Sequence, residues 1–164
     1  MQPFSATGWN HRYNLDGFLT YSRNVGGISS SYLQLFRNGI CEAVNSSLLK
    51  QSNLKIPNPL FEKTVINAFK NYISKLKELD VGLPIFAFLT LAGVKGYWMD
   101  SDPIGITEEP IEKDVLLLPE IVIENFDFEV EDILKPCFNA VWNACGFPRS
   151  LNYDDSGKWT GKRK

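Results

Sequence analysis

Residues 32–44 read YLQLFRNGICEAV. Two β-prone runs, 32–37 and 40–44, flank Asn38-Gly39. An Asn-Gly pair between such runs favours a two-residue type I′ turn, because both central residues then need positive φ. That turn sets Arg37 opposite Ile40, Phe36 opposite Cys41 and Leu33 opposite Val44. Apolar side chains then fall on both faces, so the hairpin is expected to be covered on both sides.

Working outward, residues 24–31 form a Gly/Ser loop and residues 15–22 a short strand offering Phe18, Leu19 and Tyr21 for packing. Residues 1–14 show no period and are expected to be an extended lead-in. Downstream, Pro57-Asn58-Pro59 opens a helix, with Asn58 as cap and Pro59 at the first helical position. Its apolar stripe is Phe61, Val65, Phe69, Tyr72, Leu76 and Leu79, and Gly82 is the expected stop. Residues 84–99 predict one long strand with a bend or bulge at Gly93 and Gly96. Residues 100–112 are loop-like. Residues 115–123 predict a strand interrupted by Pro119, which suits an edge or bulge.

A second helix is predicted over 128–145, with the stripe Val130, Ile133, Leu134, Cys137, Val141 and Ala144. Pro136 should kink it or end a first turn, and Gly146 should stop it. Phe147, Leu151, Tyr153 and Trp159 are together too apolar to stand in water. They predict an ordered arm folding back, turning at residues 154–157.

The order β-β-β-α-β-β-α, with locally joined strands, predicts an α+β protein with a mostly antiparallel sheet, layered in the manner of GAF or profilin folds. Residues 15–164 are expected to form a single domain whose arm is 147–164. The chain has 164 residues, 44% of them hydrophobic and 13% aromatic, enough for a sizeable core.

The formal charge of −2 excludes a globally basic, nucleic-acid-wrapping surface. Three cysteines, Cys41, Cys137 and Cys145, without a CxxC pair point to reduced, buried thiols and a cytoplasmic setting. No secretory leader is evident in residues 1–14. The longest apolar stretch, 83–94, has about a dozen residues against the roughly 20 that span a bilayer, so no membrane partner is expected.

Catalytic constellations are sparse. His11 is the only histidine, far in sequence from any nucleophile, and its spacing to the thiols fits no common zinc pattern. Gly26-Gly27 lacks the Lys-Ser/Thr ending of a phosphate-binding loop. The acids Asp100, Asp102, Glu108, Glu109, Glu112 and Asp114 fit no calcium-loop spacing, and those from Glu124 to Asp132 suit a helix start. No metal or cofactor is expected. The side chains best able to grip an anion or a base are Arg12, Arg37, Trp98, Arg149 and Trp159, with Trp9 and the basic tail Lys158, Lys162, Arg163 and Lys164.

Four segments carry a family resemblance: RYNLDGFLTY (12–21), LQLFRNGICEAV (33–44), DVLLLPEIVIE (114–124) and WNACGFPRSLNYDDSGKW (142–159). They resemble the C-terminal region of bacterial proteins whose N-terminal part is a Schlafen-type AlbA-like domain, described as DNA-binding or ATP-binding transcriptional regulators. The resemblance implies a separated C-terminal module. Its partner would be the N-terminal nucleic-acid- or nucleotide-binding domain of the parent protein. The expected function is therefore a non-catalytic accessory or regulatory domain that binds a ligand, a partner or another copy of itself. The alternatives are a metal-dependent hydrolase or nuclease built on the acids near 100–114, and direct nucleic-acid binding.

Overall fold

The computed structural model describes residues 1–23, 26–49, 53–101 and 109–161. Asn24 and Val25 of the Gly/Ser loop, Asp102 and Glu108 of the acidic segment, and Lys162, Arg163 and Lys164 of the tail lie outside them. The protein is α+β, with a four-stranded antiparallel sheet as its largest. The chain forms two compact units, Met1–Lys50 and Gln51–Lys164.

The first unit is a meander of β1 (Trp9–Tyr13), β2 (Gly17–Ser22), β3 (Ser31–Phe36) and β4 (Cys41–Asn45), in that spatial order. The lead-in is thus partly a strand, with Trp9 paired to Ser22 and Tyr13 to Phe18. Gly17, at φ 151°, starts β2 where an ideal Cβ would stand 2.1 Å from the Leu35 carbonyl oxygen. Thr20 and Leu33 are fully buried. The Ser22 hydroxyl accepts the Ser30 and Ser31 amides at 3.2 Å, tying the end of β2 to the start of β3.

The β3–β4 hairpin exists, but its register differs by one residue from the expectation. Leu35 pairs with Cys41, Leu33 with Ala43 and Tyr32 with Val44. The loop has three residues, 37–39. The Phe36 amide donates to the Ile40 carbonyl at 2.8 Å and the Gly39 amide to the Phe36 carbonyl at 3.0 Å. Gly39 is left-handed at φ 88° while Asn38 has no positive φ. That is a type I turn followed by a glycine bulge, not a type I′ turn. The slip exchanges faces: β3 is buried on both sides at Leu33 and Gln34, whereas β4 leaves Glu42 and Val44 in water.

The second unit contains β5 (Lys55–Ile56), α1 (Leu60–Glu78), β6 (Ile85–Ala87), β7 (Thr90–Ala92), β8 (Trp98–Met99), β9 (Val115–Leu117), β10 (Ile121–Ile123) and α2 (Val130–Ala144). β5 runs parallel to β8. The long strand predicted over 84–99 is divided into three. β6 pairs antiparallel with β10 and β7 with β9. Between Ala87–Ile121 and Thr90–Leu117, residues 88–89 face residues 118–120, so the ladder carries one extra residue at Pro119. Proline has no amide hydrogen to give, so the bulge falls where pairing is already lost. Gly93 and Gly96, at φ 72° and 82°, then turn the chain before β8.

Helix α1 buries Phe61, Glu62, Val65, Ile66, Ala68 and Leu76. Asn58 does not cap it. Its side-chain oxygen instead accepts the Asn152 amide group at 2.7 Å. The helix also ends before Gly82: Asp80 takes the left-handed conformation at φ 55°. The Val81 amide reaches the Leu76 carbonyl, and the Asp80 amide reaches that of Lys77. This is the Schellman pattern, and Leu79, predicted as part of the stripe, sits at the cap 59% exposed.

Helix α2 continues through Pro136. It stops at Gly146, as expected. Gly146 has φ 85°, and the Phe147 amide bonds the Trp142 carbonyl at 3.0 Å. The Trp142 and Phe147 rings meet edge to face at 4.9 Å, the apolar contact that accompanies such a stop. Phe61 meets Phe138 across the two helices at 6.1 Å. The arm folds back: Phe147 and Tyr153 are buried, Tyr153 forms a bridge with Trp159, and residues 154–157 make the turn.

Candidate functional site

The five residues singled out from sequence are divided between the two units. Arg12 and Arg37 belong to the first unit; Trp98, Arg149 and Trp159 belong to the second. Arg12 is exposed on β1, its guanidinium 6.0 Å from the Tyr21 ring centre. Arg37 is exposed in the hairpin loop and donates from Nε to the Leu15 carbonyl at 3.1 Å. Trp98 donates to the Asn53 carbonyl. Arg149 pairs with Asp155 of the arm's own turn at 3.2 Å.

Of the acids near 100–114, Asp100 pairs with Lys55 at 3.2 Å, and Glu109, Glu112 and Asp114 are exposed. Among the described residues no group of three or more His, Cys, Asp or Glu is placed to hold a metal ion. Burial raises the pKa of the Cys137 and Cys41 thiols, away from nucleophilic thiolate character. The Cys137 thiol faces the Pro119 carbonyl at 3.3 Å.

Trp159 leads to a group that the sequence gave no sign of. Glu62, 1% exposed, lies in the first turn of α1. Its Oε1 accepts Trp142 Nε1 at 2.8 Å and the Ser150 hydroxyl at 2.6 Å; its Oε2 accepts Trp159 Nε1 at 2.7 Å. Indole nitrogens only donate, so a carboxylate, which only accepts, is their natural counterpart. Ser150 and Asn152 beside it are also buried. No histidine stands in this cluster, and its donors arrive from α2 and the arm. Its chemistry is that of a lock joining α1, α2 and the arm. A lone Glu inside an apolar stripe looks the same in sequence whether it faces water or a partner.

Two surfaces remain open. In the second unit, the β6–β10 and β7–β9 ribbon buries Leu91, Ile121 and Ile123 on one face. Strand alternation turns Phe86, Val115, Leu117 and Val122 outward. Phe88 stands between β6 and β7, 71% exposed, and Leu117 is 80% exposed.

In the first unit, Trp9, His11 and Tyr13 alternate along β1, and Phe18 pairs with Tyr13 from β2. Their rings form a row: Trp9 to His11 at 6.1 Å, His11 to Phe18 at 5.6 Å, and Phe18 to Tyr13 at 5.2 Å. His11, the only histidine of the sequence, is a member of this row. β1 is an edge strand, exposed throughout.

No described helix is long and apolar enough to cross a membrane. No family model matches the chain, and neither a curated protein nor a solved structure does so.

Proposed function

We propose that this chain is a non-catalytic accessory module that associates with a second copy of itself through the outer face of the β6–β10 and β7–β9 ribbon. In the setting that the family resemblance implies, this association would regulate an attached nucleic-acid-acting domain.

The observation that carries the reading is the row Phe86, Phe88, Val115, Leu117 and Val122. Single exposed apolar residues are ordinary; a continuous strip of them on one ribbon is not. Its five members are all apolar, and the exposed Lys113, Glu120 and Glu124 stand at its border. Self-contacts between identical subunits are the more apolar class of interface, whereas transient contacts carry more polar and charged groups. The satisfied Glu62 cluster supports the non-catalytic part, since each of its oxygens is already committed to a donor.

Light scattering coupled to gel filtration across the micromolar range tests this. The native chain should run as a dimer. Phe88→Ser combined with Leu117→Ser should convert it to a folded monomer, because both side chains are mostly in water and contribute little to the unit's own core. A native chain that stays monomeric throughout the range would sink the proposal.

A further inference from the structure

We infer that two copies of the chain meet on the β6–β10 and β7–β9 ribbon with its ends exchanged, so that Lys113 of each copy faces Glu124 of the other. This rests on the self-association reading and adds to it the orientation of the partner and the residues that set it.

Along β9 and β10 the exposed alternate positions are Lys113, Val115 and Leu117, then Glu120, Val122 and Glu124. The extra residue at Pro119 shifts the alternation from odd to even numbers. A cation therefore stands before the apolar run and an anion after it. Ala92 pairs with Val115 at one end of the ribbon, and Ile85 with Ile123 at the other. Beyond the first end, the Val94 amide bonds the Asp114 carbonyl at 3.1 Å and the Gly96 amide bonds the Ile111 carbonyl at 2.8 Å, which keeps Lys113 on the hairpin. From position 113 to 124 an extended chain covers on the order of 30 Å, several Debye lengths at physiological salt. The two charges cannot neutralise each other within one copy. Among the described residues, neither Lys113 nor Glu124 belongs to any of the ion pairs.

Electrostatics then decide between two ways of stacking the ribbons face to face about a twofold axis. An axis along the strands keeps like ends together, with Glu124 near the second copy's Glu124 and Lys113 near its Lys113. An axis across the strands exchanges the ends and turns both like-charge contacts into opposite-charge ones. Like charges brought together cost affinity, whereas unlike charges fix the register of an interface. The neighbouring charges do not reverse this. Lys95, Glu112 and Asp114 leave the Lys113 end balanced, while Asp127 and Lys77, which lies over the Phe126 ring, leave the Glu124 end negative.

The exchange also keeps the apolar contact. Phe88 and Leu117 flank the middle of the ribbon, next to the bulge at Pro119, so an axis there sets this pair at the centre of the interface. Charges at the ends and apolar groups at the centre match the polar rim and dry core of protein interfaces. Glu120, at the bulge, lies near the axis in both arrangements and does not discriminate between them.

The test is sedimentation equilibrium of the full chain and of Lys113→Glu, Glu124→Lys and the double reversal. Each single reversal replaces two attractive contacts by two repulsive ones and should weaken the dimer by about 10- to 100-fold. The double reversal should return it to within about 3-fold of the native chain. An equimolar mixture of the two single variants should form a heterodimer, because each copy supplies the sign that the other needs. The deficits of the single variants should shrink as salt is raised to about 1 M. Both positions are exposed, and recovery in the double reversal is a result that a folding defect would not give.

A native dimer that ignores both single reversals, or losses that the double reversal does not restore, would overturn the exchanged arrangement and leave self-association standing. So would a single reversal that tightens the dimer, since like ends would then lie together. A native chain that is monomeric throughout removes both proposals.

Discussion

Trp159 Nε1 donates a hydrogen bond of 2.7 Å to Glu62 Oε2 across 97 positions of sequence. With Trp142 and Ser150 on the other oxygen, it makes a single carboxylate the common acceptor for three donors. Glu62→Leu would fill the space but leave the Trp142 and Ser150 donors buried without partners. Each orphaned group costs about 1–3 kcal/mol, so the variant should lose about 2–6 kcal/mol in urea unfolding. Trp159→Phe removes one donor at a partly open position and should cost about 1–2 kcal/mol. Glu62→Gln keeps one acceptor oxygen and should fall between them. If Glu62→Leu unfolds at the native urea concentration, the carboxylate is not the lock described here.

Alkaline pH should weaken the second unit through Tyr153. Burial, and then the negative charges of Glu62, Asp132 and Glu131, hold its phenol well above the ordinary tyrosine range. An acid whose folded pKa is raised contributes stability that is complete below the unfolded value, about 10 for tyrosine, and that is lost as pH rises beyond it. The melting temperature should therefore fall as pH passes about 10, with tyrosinate absorbance at Tyr153 appearing only on unfolding. Tyr153→Phe should be less stable near neutrality by about 1 kcal/mol, having lost its bond to the Glu131 carbonyl, yet show a shallower alkaline decline. An equally steep decline in the variant would remove Tyr153 from the explanation.

Both helices end through left-handed residues, but with different side chains. Asp80→Gly should stabilise the chain by about 0.5–1 kcal/mol, because the left-handed region costs an L-residue about 1–2 kcal/mol, which Asp only partly escapes. Gly146→Ala should lose about 1–2 kcal/mol for the same reason. Chemical unfolding measures both. A destabilised Asp80→Gly would mean that the Asp carboxylate contributes more than its backbone costs.

Gly17 has no room for a methyl group, with the Leu35 carbonyl oxygen 2.1 Å from the ideal Cβ. Gly17→Ala should therefore open the start of the β2–β3 ladder at a cost of about 2 kcal/mol or more. Amide hydrogen exchange at Phe18–Leu35 and neighbouring pairs should accelerate accordingly. Native-like protection there would mean that the strand shifts at little cost.

Much of the architecture depends on short-range physics and was legible in the sequence. The stripes Phe61–Val65 and Val130–Leu134–Cys137–Val141 obey helical spacing, and that spacing alone selects the face each helix buries. Gly146 stops α2 because only its own backbone must become left-handed. The arm's return follows from how much apolar surface Phe147 and Tyr153 would otherwise leave in water. The α+β class and the antiparallel pairing rest on the same local rules.

What only the tertiary structure decided turns on partners far away in the chain. Asn58 has the chemistry of a helix cap, but Asn152, 94 positions later, claims its side chain. Asn38-Gly39 favours a two-residue turn, yet the paired strands settle on a three-residue loop and so exchange the faces of the hairpin. Glu62 counts as one more charged residue until Trp142, Ser150 and Trp159 surround it. The aromatic row needs Phe18 brought beside Tyr13 and His11 by strand pairing. Periodicity fixes what a residue contributes along its own element, whereas a hydrogen bond, a register or a shared surface is a property of two segments, and only the folded chain brings them together.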